Sequence, residues 1–140
     1  MPLVRVFVPL DREGLAALRR SGELGPAPVA AHAAVAAAAR PTIGNDEEER
    51  EYAAWSAAAD DAASVVAQGD RRVVASADVD AAVVTRADEE GTAVEVGSAV
   101  PLPRIASFHV DEEPGSGIED LLWYDITELD DVIALAHPTA

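Results

Sequence analysis

The sequence predicts a single α+β domain over 1–140, in which a mainly antiparallel sheet of about five strands carries two to four helices on one face. Three observations predict this fold class. A β-rich run, LVRVFV, occupies 3–8, and a long helical pattern occupies 45–69. Strand-like segments separated by turn residues then follow from Arg71 onward, and a short helix pattern ends the chain.

The first two elements are bounded by residues that end or cap regular structure. The strand over 3–8 is expected to stop at Pro9, which has no backbone N–H to donate. A helix is predicted over 12–20, because Asp11 can cap its first turn and Gly22 stands just past its end.

An alanine-rich segment, PVAAHAAVAAAAR (28–40), fits either a helix or a strand. Alanine favours helix, but the only larger apolar residues of the segment are Val29 and Val35. A helix is predicted for its second half alone, closed by Pro41. Whether the segment as a whole is helix or strand stays open.

The longest helix is predicted over 45–69. Asn45 can cap it, and the acidic residues 46–49 lie at the positive end of the helix dipole. Apolar residues recur at three- and four-residue steps, and Gly69 ends the pattern. The predicted buried face consists of Tyr52, Trp55, Ala59, Ala62 and Val66.

The second half of the chain alternates between β-rich segments and turn residues, which predicts four or five strands. These segments are 71–79, 81–86, 92–100 and 105–113, with a turn at 88–91 and a flexible loop at 113–117. The last apolar stretch divides in two, because Thr127 and Asp130 form a T-x-x-D capping box. We therefore predict a strand over 121–126 and a helix over 128–136.

Composition excludes several classes of function. The chain has 26 acidic residues, ten arginines and no lysine, which gives a net charge of −16. Such a surface repels the phosphates of nucleic acids and of anionic lipids, so we expect neither direct nucleic-acid binding nor membrane association. The absence of cysteine removes disulfides and thiolate chemistry and fits a cytoplasmic protein. No cofactor and no metal are expected, because the glycines and histidines form no nucleotide- or zinc-binding motif.

One predicted strand carries residue types that are common in catalysis. Within 105–111, alternation places Ser107, His109 and Asp111 on one face. Same-face neighbours in a strand stand about 6.5–7 Å apart, which is too far for the hydrogen bonds of a catalytic triad. The face is therefore predicted to be an exposed strand surface, and no catalytic residue is assigned.

The other candidate for a functional site is the adjacent pair Trp123 and Tyr124, in a chain that has only six aromatic residues. Core packing is the favoured interpretation of Trp123, and a recognition patch beside an acidic residue is the alternative. Large residues are expected to carry the core, because each alanine buries little area. For a binding surface near the strands 105–111 and 121–126, the candidate residues are Trp123, Tyr124, His109, Arg104 and Asp125.

Several segments together resemble a known family. They are the initial RVFVPL, EExEYAA at 48–54, RRVVASADV, VPLPRIASFHVDEE and the final LLWYDITEL. This combination resembles a family of small uncharacterised actinobacterial proteins, a domain of unknown function. The loop after HVDEE is shorter here than the family pattern. The resemblance implies one domain and a high-GC bacterial host, and it implies no activity and no catalytic residue.

Three hypotheses for function stay open. The first is a small acidic, non-catalytic interaction or regulatory protein that engages a protein partner or a small ligand. The second is a hydrolase-like enzyme in which His109, Asp111 and Asp125 converge from neighbouring strands. The third is an acidic mimic of nucleic acid, whose carboxylates would form two rows at phosphate-like spacing.

Overall fold

The computed structural model describes residues 3–33, 47–66, 69–87, 92–113 and 121–137. The strands are β1 (Leu3–Leu10), β2 (Glu23–Leu24), β3 (Val29–Ala33), β4 (Val73–Asp80), β5 (Val84–Arg86), β6 (Ala93–Val96), β7 (Val100–Pro101), β8 (Ile105–Asp111) and β9 (Leu121–Tyr124). The helices are α1 (Arg12–Ser21), α2 (Glu47–Val65) and α3 (Leu129–Ala136), and short 3-10 turns occupy Ala81–Val83, Leu102–Arg104 and Ile126–Glu128.

Seven strands form one sheet in the order β5-β6-β3-β1-β4-β8-β9, and every neighbouring pair is antiparallel. The two remaining strands, β2 and β7, pair separately. The predicted α+β class with an antiparallel sheet is confirmed, but the predicted number of about five strands is wrong. One added strand is β3, which lies in the ambiguous alanine-rich segment and inserts between β1 and β6. The second half of that segment, 34–40, lies outside the described residues.

The helices lie on both faces of the sheet, so the prediction of helices on one face is wrong. Along β1, Val6 and Val8 join a core that includes buried residues of α1 and α3, whereas Phe7 joins a second core under α2. The second core is small and consists of Phe7, Val74, Ala54, Ala58, Ala59 and Ala62, with Trp55 packed against it. The apolar run of β1 is almost continuous, so both faces of this strand are apolar. Each apolar face has to be covered by other elements, and helices therefore pack on both sides.

The strand β1 continues through Pro9 to Leu10, so the predicted end at Pro9 is wrong. On the side of β3, β1 pairs with described residues only at Val6 and Phe7, so Pro9 lies at an edge of the described sheet on that side. Proline is tolerated at such an edge because no ladder hydrogen bond needs its missing N–H.

The helix α1 confirms the local signals in the sequence. The Asp11 side chain accepts a hydrogen bond from the Gly14 N–H at 2.8 Å, which caps the first turn. Gly22 has φ 77°, a conformation that favours glycine, and its N–H donates to the Leu18 carbonyl at 2.8 Å. Leu15 and Leu18 are fully buried and anchor the helix to the sheet.

The helix α2 occupies most of the predicted range, and the predicted burial of Ala59 and Ala62 is confirmed. Its four fully buried residues are the alanines Ala54, Ala58, Ala59 and Ala62. Tyr52 is 57% exposed, so its predicted burial is wrong, and Trp55 is half-buried. The small alanine side chains let the helix lie close to the sheet. The proposed N-cap, Asn45, lies outside the described residues. Within the described part of the chain, no helix is both long and apolar enough to cross a membrane.

The strands of the second half are shorter than predicted. The 81–86 segment begins with a 3-10 turn, and the 92–100 segment divides between β6, which joins the main sheet, and β7, which joins β2. The strand predicted over 105–113 ends at Asp111. The predicted turn at 88–91 and most of the predicted loop at 113–117 lie outside the described residues.

The final apolar stretch divides into a strand and a helix, as predicted, but its capping residue is Asp125 and not Thr127. The Asp125 carboxylate accepts a hydrogen bond from the Thr127 N–H at 2.9 Å. In return, the Glu128 carboxylate accepts one from the Asp125 N–H at 3.1 Å. This reciprocal pair opens a 3-10 turn that leads directly into α3.

Replacing Asp125 with alanine is expected to lower the free energy of unfolding by about 1 kcal/mol, because the carboxylate that accepts the Thr127 N–H is lost. The backbone N–H of residue 125 remains and can still donate to Glu128. Asp131→Ala is the matched control, since Asp131 is exposed in the first turn of α3. Urea denaturation should give a smaller loss for the control, about 0.5 kcal/mol or less. Equal losses of unfolding free energy in the two variants would contradict the prediction. They would show that any negative charge near the start of this helix stabilises it and that the cap hydrogen bond adds nothing.

Candidate functional site

Four rings lie in a row on the α2 face of the sheet: Phe7, Trp55, His109 and Trp123. We call this set the ring row. Consecutive ring centroids are 5.9, 4.6 and 4.2 Å apart, and each pair meets edge to face, an arrangement that aromatic pairs prefer. The row leads from the core to the surface, because His109 is 2% exposed and Trp123 is 74% exposed.

The strand register builds the ring row. His109 on β8 lies directly opposite Trp123 on β9, so the two side chains share a face of the sheet. Phe7 on β1 lies opposite Ser76 on β4, on the same face. Trp55 reaches this face from α2 and lies between Phe7 and His109.

The His109 imidazole lies within hydrogen-bond distance of two serine hydroxyls. Its Nε2 lies 2.9 Å from the Ser76 hydroxyl and 2.9 Å from the Ser107 hydroxyl. Its Nδ1 is buried and has no hydrogen-bond partner among the described residues. Because a hydroxyl can donate or accept, either neutral tautomer satisfies Nε2, and both leave Nδ1 without a partner.

The prediction that Ser107, His109 and Asp111 form an exposed strand face is wrong. All three residues are buried. The expectation that same-face neighbours of this strand stand too far apart to hydrogen-bond is also wrong for Ser107 and His109, because side chains that lean toward each other bring the hydroxyl to 2.9 Å from Nε2. The alternation along β8 was correct, but this face of the sheet lies on the side that α2 and Trp55 cover. A polar face of a strand can be buried where its groups bond to one another, as the serines and His109 do here.

Burial lowers the pKa of His109 to about 4, and the positive charge of Arg5 lowers it further in the same direction. A charged imidazole would lose its hydration in this site, so the neutral form is favoured. His109 is therefore uncharged at neutral pH. It serves as a rigid, neutral platform behind Trp123 and not as a cationic site for an anion.

Asp111 forms a buried ion pair with Arg72. The Arg72 guanidinium donates to Asp111 Oδ1 from Nη2 at 2.8 Å and from Nε at 3.0 Å. The Arg72 backbone N–H donates to Asp111 Oδ2 at 2.9 Å, and the Asp111 N–H donates to the Arg72 carbonyl at 3.1 Å. These contacts tie the start of β4 to the end of β8, so the carboxylate has a structural role.

The other candidate residues do not join the ring row. Tyr124 is half-buried and packs against the core on the opposite face of the sheet. Asp125 is exposed, and its carboxylate is engaged in the helix cap. Arg104 is exposed at the far end of β8, more than about 13 Å along the strand from His109. Of the five candidates, the structure brings together only His109 and Trp123.

Trp123 is exposed, so the favoured interpretation of core packing is wrong and the alternative of a surface patch fits its position. Within the described residues, β9 ends the sheet order and its outer edge has no partner strand. The His109 ring meets the Trp123 ring edge to face. Most of the Trp123 side chain is nevertheless open to solvent.

Two residues of the site were missed in the sequence, Trp55 as a neighbour of His109 and Ser76 as its hydrogen-bond partner. Alternation along β4 places Val74, Ser76 and Asp78 on one face, which was a usable signal for Ser76. No sequence signal relates Trp55 to His109, because their contact depends on how α2 lies across the sheet.

In the described part of the chain, the site lacks the carboxylate that would orient His109 in a catalytic triad. The 2.9 Å contact between Ser76 and His109 Nε2 is within the range of a nucleophile and its base. However, Nδ1 of His109 donates to no orienting carboxylate among the described residues, since Asp111 is held by Arg72 and Asp125 by its cap. In the described ranges, no three histidine or acidic side chains group as metal ligands would.

Comparison with known proteins identifies the family of the chain. The model of DUF6912, a family of unknown function, matches residues 4–119. The chain belongs to this family. No curated protein and no solved structure matches it.

Proposed function

We propose that this member of a family of unknown function is a non-catalytic binding module that holds a basic segment of a protein partner against Trp123. The exposed position of Trp123 on the outer strand β9 is the observation that carries the proposal. Large exposed aromatic residues are enriched among the residues that dominate binding energy at protein interfaces. His109 behind the ring reduces the conformational freedom that Trp123 would lose on binding.

The charge around β9 supports a cationic partner. The segments 105–113 and 121–137 carry seven acidic residues and no arginine or lysine. Two of these acids are offset by distant arginines, Asp111 by Arg72 and Asp130 by Arg19. The two segments that contain the Trp123 strand and its neighbour are therefore acidic overall, and an indole is the aromatic ring that attracts a cation most strongly.

An arginine side chain fits this surface better than a small anion or a neutral ligand. Its planar guanidinium can stack on the open side of Trp123, while nearby carboxylates accept its N–H groups. We place such a module in the cytoplasm of a high-GC bacterium, and the absence of cysteine and of lysine supports that placement.

Binding of a labelled acetyl-(Gly-Arg)₃-amide peptide, followed by fluorescence anisotropy, tests the proposal. The unmodified protein should bind the peptide saturably, and Trp123→Ala should weaken binding about five- to tenfold, the size of a lost cation–π contact. Because Trp123 is 74% exposed, the variant should keep the fold and unfold at nearly the same urea concentration.

Two controls separate the Trp123 surface from general attraction to an acidic protein. Tyr52→Ala removes another exposed aromatic residue, which follows the acids at the start of α2, and should leave binding unchanged. A peptide with citrulline in place of arginine should bind much more weakly. If Trp123→Ala and Tyr52→Ala weakened binding equally, net charge alone would explain the interaction and the proposal would fail.

A further inference from the structure

A cavity of about 490 Å³ lies between α1 and the end of α3, on the face of the sheet opposite Trp123. Its lining consists of Arg12, Ala16, Arg19, Arg20, Ile133 and His137. A volume of this size is typical of small-molecule sites. Three of the ten arginines of a chain with net charge −16 therefore surround one cavity.

The three arginines differ in how far their charge is offset. Arg12 donates two hydrogen bonds to the buried Asp70 at 2.6 and 2.7 Å. Arg19 forms an ion pair with Asp130 at 2.6 Å, but both side chains are exposed, and such a pair contributes little and is readily exchanged. The Arg20 side chain forms no ion pair or hydrogen bond in the described ranges.

His137 adds an unpartnered polar group at the cavity. Its side chain is 7% exposed, and its Nε2 is buried without a hydrogen-bond partner among the described residues. Its Nδ1 lies 3.2 Å from Asp70 Oδ2 but is not aligned for a hydrogen bond. Leaving a buried polar atom unpaired is unfavourable, so the surroundings of His137 are sensitive to what occupies the cavity that it lines.

The rest of the lining is apolar. Ala16 and Ile133 contribute aliphatic surface, and the methylene stems of the arginines add to it. A fully hydrated ion such as free phosphate would leave this surface without a partner. A ligand with both an oxyanion and an apolar body would use the arginine forks and the aliphatic wall at once.

We propose that this cavity binds a small organic oxyanion, a carboxylate or phosphate monoester that carries an apolar group. Arg20 and Arg19 hold the oxyanion, and Ile133 packs against the apolar body. The site shares no residue with the Trp123 surface, so it is independent of the proposed binding of a basic segment.

Titration of the full chain with phenyl phosphate, benzoate, inorganic phosphate and phenol tests the site. Phenyl phosphate or benzoate should bind saturably and shift the ¹⁵N resonances of the His137 imidazole. The better of these two should bind about tenfold more tightly than inorganic phosphate or phenol, since each of the latter lacks one half of the ligand. Whichever headgroup binds better identifies the oxyanion, and either outcome supports the proposal.

The matched variants are Arg20→Gln and Arg104→Gln, which remove the same charge from two exposed arginines, only one of which lines the cavity. Arg20→Gln should weaken binding about tenfold, and Arg104→Gln should not change it. Three results would overturn the inference. They are no saturable binding of either aromatic anion, equal weakening in both variants, and phenol binding as tight as that of phenyl phosphate.

Discussion

Replacing Asp111 with asparagine is expected to lower the free energy of unfolding by about 3–5 kcal/mol, because the buried Arg72 guanidinium would lose the carboxylate that accepts its hydrogen bonds at 2.8 and 3.0 Å. Both side chains are more than nine-tenths buried, so water cannot compensate. Asparagine keeps the shape of the side chain, and the loss would therefore report charge and not volume. Urea denaturation at pH 7 measures it.

The matched control for this variant is Asp78→Asn. Asp78 also forms a two-point ion pair with an arginine, Arg5, but the side chains of this pair are 36% and 40% exposed. Solvent screens such a pair, and its loss should cost about 1 kcal/mol or less. If the two variants lost equal stability, burial would not be what makes the Arg72–Asp111 pair important.

Stability is expected to decrease by about 3 kcal/mol between pH 6.5 and pH 4 because of His109 alone. The pKa of His109 is about 4 in the folded protein, chiefly through burial, and lies near 6.5 when the imidazole is exposed. The unfolded chain therefore binds the proton first as the pH falls. The stabilisation is complete above pH 6.5, declines through this window, and reaches its lowest value below pH 4.

Chemical denaturation of the protein and of His109→Gln across pH 4–8 isolates this contribution. Carboxylates that titrate near pH 4 are common to both proteins, so they cancel in the difference. The difference between the two curves should be constant from pH 7 to 8 and should shrink as the pH falls below 6.5. Parallel curves throughout would show that the neutral, buried state of His109 does not affect folding.

Helix ends were predicted well where they depend on capping and stop residues that are close in the sequence. The α1 helix follows from Asp11 as its cap and Gly22 at its end, and both act as predicted. The cap of the final turn was placed two residues too late, since Asp125 and Thr127 are both good capping residues and only the backbone geometry selects Asp125.

Burial was predicted less well, because it depends on which elements cover a face. The alternation of β8 correctly grouped Ser107 with His109, but nothing in that strand shows that α2 lies over them. Both tryptophans were expected to be buried, and the structure contradicts this for Trp123 for the same reason. Trp55 packs against the second core, and Trp123 lies on the last strand of the sheet, beyond that cover. Strand order, which a single sequence does not specify, decides between these positions.

The two proposed binding surfaces lie on opposite faces of the sheet and suit ligands of opposite charge. On the α2 face, an exposed indole lies on a strand from an acidic part of the sequence, which suits a basic partner. On the opposite face, Arg19 and Arg20 lie beside an apolar cavity, which suits an organic anion. Because the sheet separates the two surfaces, each can be removed by substitution without touching the other.

The most direct test of the central claim is NMR mapping of the basic peptide on the ¹⁵N-labelled chain. The account predicts that the Trp123 indole N–H and the backbone amides of Leu122 and His109 shift in one saturable process. It also predicts that Arg20 and His137 do not shift and that Trp123→Ala abolishes the pattern. Shifts spread over the acidic start of α2, or an unchanged pattern in Trp123→Ala, would contradict a binding function centred on Trp123.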